Sequence, residues 1–485
     1  MLFGTFDFLI FLAVVVILNW TLKAHTLIWR LFLLGASIYF YALIDIRFVL
    51  LLGITTIITF LLGLNIKRKV SFWVGLILNL GILFIFKYYD FFRVTAESFF
   101  TSINLSSCLP YWEIIFPIGI SFYSFRMISY LFDLKRGKYE KEKSLLDFSI
   151  YSFRMISYLF DLKRGKYEKE KSLLDFSIYS FFFPYLLAGP IVRANDFLPQ
   201  LKNGGAKTIE RLEQATTLFF VGLFKKVVLS SWLSATLVDN VFAVPEQFSS
   251  LSVFLAIIGY TFVIYCDFSG YSDMAIAVSK FLGFDLLPNF LFPYKSKSIT
   301  DFWRRWHISF YMWMRDYLYI PLGGNRVGKL RSYLNVLIVF IASGLWHGAA
   351  FNYLIWGLLH GIGLTIHRIW STVLNKSAGF LGPIITFIFV SFTWIFFKAE
   401  NMERALAFIK SLGNFNKSTL IGTSTILILI LISLFILYEE KLMKYLNKIQ
   451  LKMPTPIWTL FWIGVCLIIY RFAPNTVPPF IYFSF

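Results

Sequence analysis

The chain has 485 residues, of which 58% are hydrophobic, 20% aromatic and only 15% charged. Soluble domains carry about 25% charged residues, and a mean hydropathy of +0.69 leaves too little polar surface to cover a water-soluble globule. A formal net charge of +19 would point to nucleic acid in a soluble protein. Here the basic residues sit mostly in short loops between apolar runs, which is the pattern of a positive-inside topology. The composition therefore predicts an all-α, polytopic membrane protein whose solvent is the lipid bilayer, with no nucleic-acid partner.

The first twenty residues, MLFGTFDFLIFLAVVVILNW, contain neither a basic n-region nor a small-residue cleavage site. They read as a retained first span rather than a cleaved leader. A helical span needs about 20 mostly apolar residues. Such stretches lie near 6–22, 27–44, 48–65, 72–89, 114–134, 172–190, 214–232, 251–283, 333–350, 352–371, 380–398, 419–437 and 456–472. Several are interrupted, so about eleven transmembrane helices are expected. Basic residues follow the first span (Lys23 to His25) and the third (Lys67, Arg68, Lys69), whereas 90–113 is net negative. The two basic loops are thus expected on the cytoplasmic side and the N-terminus outside.

Residues 123–150 recur without a change at 151–178. Diverged structural repeats do not stay identical over such a length. The identity marks a tandem event that is recent, engineered or introduced in assembly, and one copy is surplus. Each copy carries the basic loop KRGKYEKEK, at 135–143 and 163–171. If the intervening segment spanned, one of two identical basic loops would face outside, so both loops are expected to stay cytoplasmic. Further along, 292–326 is too polar to span yet rich in Trp, Tyr, Phe, Lys and Arg, the mixture found at membrane interfaces. One or two short interfacial helices are expected there, closed by a turn at Gly323-Gly324-Asn325.

Cys108, Cys266 and Cys466 are scattered and form no CxxC pair. Phosphate-loop, dinucleotide and HExxH motifs are missing, and no ligand spacing suggests a metal site. Of the five histidines, His347 stands in the apolar stretch IVFIASGLWHGAAFNYLIW. An ionisable group at such depth is a functional candidate, against the plainer reading of a buried histidine satisfied by a neighbouring helix. The glycines beside it would let a second backbone or a substrate approach. His307 follows Arg304 and Arg305 in DFWRRWHIS; the arginines suit phosphate groups, although positive-inside charge explains them equally. His360 and His367 share a helical face and read as packing or interfacial groups, and His25 as a solvated one. Asp267 and Asp273 lie in YCDFSGYSDMAIAVSKFLGF and need partners there, which leaves open both a structural tie to the basic 292–326 zone and a catalytic role.

FPYLLAGPIVRANDFLPQL (183–201), YCDFSGYSDMAIAVSKFLGF (265–284), DFWRRWHISFYMWMRDYLYIPLGGNR (301–326) and SGLWHGAAFNYLIWGLLHG (343–361) resemble, in this order, the signature blocks of the membrane-bound O-acyltransferase family. The branch they resemble is the bacterial alginate O-acetyltransferase type, near the peptidoglycan O-acetyltransferases and the D-alanyl transfer protein of teichoic acids. The resemblance implies helices surrounding a catalytic funnel or tunnel, with interfacial or re-entrant helices among them. It divides the chain into N-terminal helices (1–115), an acyltransferase core (116–371) and C-terminal helices (372–485).

The resemblance further implies that His347 is the catalytic histidine and that His307 lies on the cytoplasmic, donor side. Arg304, Arg305, Arg315, Trp346, Asp267, Asp273 and Asn325 form the set expected to bind substrate or donor. Acetyl-CoA or an acyl-carrier thioester is the implied donor, with no bound cofactor, and an SGNH-type partner outside the membrane would complete transfer to an exported or cell-wall polysaccharide. The expected location is the bacterial cytoplasmic (inner) membrane. A polysaccharide or lipid transporter would show inverted repeats, which this sequence does not. A scaffold of a glycan-secretion complex would tolerate loss of His347.

Overall fold

The computed structural model describes residues 3–64, 69–103, 110, 172–187, 189–205, 209–372, 379–415, 421–450 and 452–473. The expected span at 114–134, both basic loops of the repeat and Cys108 lie outside the described residues. Among those residues the structure is helical and has no β-strand. Two compact units divide the chain, 1–207 with 279–286 and 208–278 with 287–485.

In the first unit, α1 (Phe6–Leu22), α2 (Thr26–Ala42), α3 (Ile46–Leu64), α4 (Lys69–Leu83) and α5 (Tyr89–Ser102) follow one another, with a π-helical stretch at Phe84–Tyr88. Apolar side chains on all sides of α1 and α3 fit helices whose outer surface meets lipid rather than water. Polar contacts tie the helices together inside. Buried Asn19 of α1 accepts from the indole of Trp29 on α2 at 2.8 Å and donates to the Leu282 carbonyl at 3.3 Å. Arg30 pairs with buried Asp175 at 3.2 Å.

The stretch 172–190 is not the single span expected from its hydropathy. It breaks at Phe182 into α6 (Leu173–Phe181) and α7 (Phe183–Leu186), and the chain then reaches α8 (Ala194–Lys202). Pro184, in the first turn of α7, lacks the amide that would continue α6, so one helix cannot run through.

The second unit begins with α9 (Ile209–Leu223), which continues through π-helical stretches at Phe224–Ser230 and Ser234–Val238 to Ala243. It crosses α10 (Ser250–Phe281, whose last three residues belong to the first unit) at facing glycines. A Cβ on Gly222 would meet the Gly270 carbonyl oxygen at 2.7 Å, and one on Gly270 the Gly222 oxygen at 2.6 Å. Short helices α11 (Ile299–Arg305) and α12 (Ile308–Trp313) fill the polar aromatic zone, as expected of it. The turn after it carries positive φ at Gly323 and Gly324.

Helices α13 (Lys329–His347) and α14 (Phe351–Thr372) then form a hairpin with almost no room between the backbones. A Cβ on Gly344 would meet the Tyr353 oxygen, and one on Gly357 the Phe340 oxygen, each at 2.2 Å. Small residues at a crossing are the usual way that helices associate in lipid. Gly344, three residues before His347, therefore serves a neighbouring backbone. The unit ends with α15 (Gly382–Lys398), α16 (Met402–Ser411), α17 (Thr423–Gln450) and α18 (Thr455–Phe472).

Four helical stretches (211–243, 250–281, 329–347 and 379–398) are long and apolar enough to cross a membrane. Shorter apolar helices cover 6–22, 26–42, 46–62 and 456–472. The architecture is that of an all-α, multi-pass membrane protein, with eight apolar candidates among the described residues against about eleven expected spans.

Candidate active site

His347 is the last residue of α13, because Gly348 turns extended (φ −166°, ψ 148°) and ends the helix. The expectation of a residue inside an apolar run is met in burial, since His347 is 4% exposed, but it stands at a helix end. Aromatic rings close around it. Trp356 of α14 meets it edge to face at 4.9 Å between centroids, Phe397 of α15 at 5.0 Å and Phe310 of α12 at 5.8 Å. Trp346 completes the ring of neighbours.

His307 lies just before α12, in a left-handed conformation (φ 44°, ψ 54°) that costs a non-glycine residue about 1–2 kcal/mol. The reason for tolerating it is visible in the bonds around it. The Ser309 amide and hydroxyl both donate to Asn289 Oδ1, at 3.2 and 2.8 Å, which identifies that atom as oxygen. His307 Nδ1, 3.2 Å from the same oxygen, therefore carries the hydrogen, and Nε2 is left as the basic nitrogen. Asn289 Nδ2 donates in turn to Ser272 of α10.

Burial pushes His307 down to about 3, against a hydrogen bond to its own backbone that raises it, so the ring is neutral at physiological pH. The unfolded chain, with an ordinary histidine value near 6.5, binds the proton first. This group's contribution to stability therefore falls as pH drops from about 6.5 towards 3.

The two histidines are joined by a stacked pair. Phe310 packs on Trp346 at 4.5 Å, and Phe310 touches His307 at 5.0 Å as well as His347. Phe268 of α10 seals the far side of His307, at 4.7 Å. His360, one turn beyond Trp356, is held at both ring nitrogens: the Trp303 indole donates to Nδ1 at 3.3 Å, so Nε2 donates to Thr393 Oγ1 at 2.9 Å. Of the two readings, packing or interfacial, His360 fits the first, whereas half-buried His367 meets Thr300 at 3.0 Å.

The remaining expected residues divide into two groups. Arg304, Arg315 and Asn325 are exposed and Arg305 half-buried. Arg305 pairs with Asp301 at 2.9 Å and Arg315 with Asp316 at 2.7 Å, while Arg304 has no acidic partner among the described residues. The Tyr319 hydroxyl donates to Asn325 within the glycine turn.

Asp267 and Asp273 are tied, but not to the basic 292–326 zone. Asp267 pairs with Lys226 and Asp273 with Lys225 at 2.5 Å, both lysines lying in the π-helical stretch after α9. Lys225 also meets Glu439 of α17 at 2.9 Å, and the Tyr265 hydroxyl donates to Glu439 at 2.6 Å. The glycine crossing of α9 and α10 sets these partners face to face. The basic zone takes its anchor from Glu440 instead, through Lys295 at 3.1 Å; Lys444 and Lys295 hold the Glu440 carboxyl down to about 2. Sequence reasoning missed Asn289, Phe310, Trp356, Phe397 and the Lys225–Glu439 pair. Two lysines inside an apolar run were a readable signal of the last.

Two buried histidines thus share aromatic neighbours within an all-α, multi-pass membrane protein. Residues 111–403 match the membrane-bound O-acyltransferase family, and the chain belongs to it. Over 397 residues the chain is 36% identical to a probable alginate O-acetylase of Pseudomonas aeruginosa, covering 80% of this chain and 70% of the relative. Over 402 residues it is 35% identical to a peptidoglycan O-acetyltransferase of Helicobacter pylori, covering 80% and 74%. A teichoic acid D-alanyltransferase of Bacillus subtilis is 29% identical over 238 residues, 45% of this chain and 60% of that one. The protein is a membrane O-acyltransferase, which sets aside the transporter and scaffold readings.

Proposed function

We propose that the protein transfers an acetyl group from a cytoplasmic thioester, acetyl-CoA or an acyl carrier, for O-acetylation of an exported or cell-wall polysaccharide. The relatives named for acetylation of alginate and of peptidoglycan support the group and the class of acceptor. The cytoplasmic membrane of a bacterium is the place where both substrates meet, and an SGNH-type partner outside it would complete delivery to the sugar.

The observation that carries this reading is the packing of His347 among Phe310, Trp346, Trp356 and Phe397, with His307 sharing two of those rings. A hydroxyl is a poor nucleophile. His347 takes its proton as the oxygen attacks the thioester carbonyl, and returns it to the departing thiolate. A neutral imidazole is tolerated in such surroundings better than a carboxylate.

His307 acts on the donor side. The tautomer fixed by Asn289 presents a constant Nε2, and Arg304, exposed, is the nearest cation in sequence without an acidic partner among the described residues, and so suits donor phosphates. In proteoliposomes with labelled acetyl-CoA, His307→Ala should raise the KM for the donor by about two- to tenfold, the worth of one hydrogen bond, and move the acceptor KM less. An unchanged dependence on donor concentration would remove His307 from this role.

A further inference from the structure

Trp356 is fully buried, and its indole Nε1–H has no hydrogen-bond partner among the described residues. A buried donor left unmatched costs free energy, and most are matched in native proteins. This one belongs to a ring packed edge to face against His347 at 4.9 Å. The same ring also meets His360, at 4.8 Å, itself pinned by Trp303 and Thr393. Trp394 stacks on it at 5.9 Å and Phe397 packs at 5.3 Å. The indole is therefore held in one orientation beside the base. Ser343, four residues before His347 and so on the same face of α13, is also buried with a hydroxyl that meets no partner among the described residues.

We propose that the Trp356 indole N–H is a catalytic hydrogen-bond donor to the acyl carbonyl oxygen, the oxyanion donor of this site, an assignment that rests on His347 being the general base. As the acceptor hydroxyl oxygen forms its bond to the carbonyl carbon, its proton passes to His347 and the carbonyl π pair moves onto oxygen. That oxygen then carries the negative charge and accepts from Trp356 Nε1–H. Collapse restores the carbonyl, breaks the C–S bond and sends the proton from His347 to the thiolate. Atoms and charge balance with no further reagent. A donor fixed in advance in a dry pocket stabilises such charge without having to reorganise. The orphan N–H is matched only while the oxyanion exists.

The test is Trp356→Phe, which removes the N–H and keeps an aromatic ring. Loss of one oxyanion donor lowers kcat by about 10²–10³-fold. The expected result is a loss of that size with the donor KM within about twofold of wild type. Incorporation of benzothienylalanine at position 356, with sulfur in place of N–H in the same bicyclic shape, should give the same loss and decides the question if the phenylalanine variant fails to fold. A kcat within threefold of wild type for the benzothienyl protein would overturn the proposal. His347→Ala, assayed in parallel, separates the two failures. An active His347→Ala protein overturns the reading of the site itself, whereas an inactive one beside a fully active Trp356 variant overturns only the donor role.

Discussion

Replacing His347 with Ala is expected to cut glycan O-acetylation by about 10²–10⁴-fold, the usual contribution of a positioned general base. The protein should remain in the membrane at near-normal amounts. His347 closes α13 rather than bracing its middle, and the glycine contacts that hold α13 against α14 lie on other residues. The aromatic rings around it also pack on one another: Phe310 on Trp346, Trp356 on Phe397 and on Trp394. Their arrangement does not depend on the imidazole alone. Mass spectrometry of acetyl content, read beside an immunoblot of the membrane fraction, measures both quantities. Near-normal acetylation would mean that the proton is taken elsewhere.

The second large effect is on stability. Lys225 is 2% exposed and faces two carboxylates, Asp273 and Glu439. Lys225→Ala strands the buried Glu439 and takes the cation from half-buried Asp273, and breaking a buried pair from one side costs about 3–5 kcal/mol. The variant should aggregate at markedly lower temperature in detergent, as seen by size-exclusion chromatography after heating. The neighbouring pair offers a contrast. Replacing Lys226 and Asp267 together by Met and Leu removes the charges in balance, and such exchanges are often close to neutral. A Lys225→Ala protein as heat-resistant as wild type would show that its carboxylates find other company.

What the sequence disclosed and what it hid follow from the range of each interaction. Apolar periodicity is local, so α1, α10 and α13 were legible within a few residues. The polar aromatic zone was legible as short helices for the same reason. The SGLWHG stretch disclosed His347 because an ionisable group among apolar neighbours stands out. Asn289 did not stand out. It sits in a Pro-Asn turn signal, and only the fold brings it to His307, eighteen residues on. Trp356 and Phe397 looked like any aromatic in a lipid-facing helix, and their value comes from which ring they touch. Asp267 and Asp273 were correctly read as needing partners, but the nearest basic residues in the expected interface were the wrong ones. The glycines at 222 and 270 decide the matter by bringing α9 against α10, a crossing that no periodicity reports. Where α6 breaks, the proline was visible but outweighed by hydropathy.

Two backbone hydrogen bonds fasten the neck of the segment that carries Arg304, Arg305 and His307. The Leu291 amide donates to the Arg305 carbonyl and the Ile308 amide to the Asn289 carbonyl, each at 2.9 Å. Just inside this neck stand Phe292 and His307, the two non-glycine residues with positive φ among those described. Two rungs that close the same neck, with two left-handed residues held behind them, are expected to open as one unit. In hydrogen-exchange terms, the amides of Leu291 and Ile308 belong to one opening unit, and their exchange rates should match each other more closely than either matches its sequence neighbours. On the proposed function, a thioester donor whose entry needs this segment to move would wait on that one opening, whose rate would cap turnover at saturating acceptor.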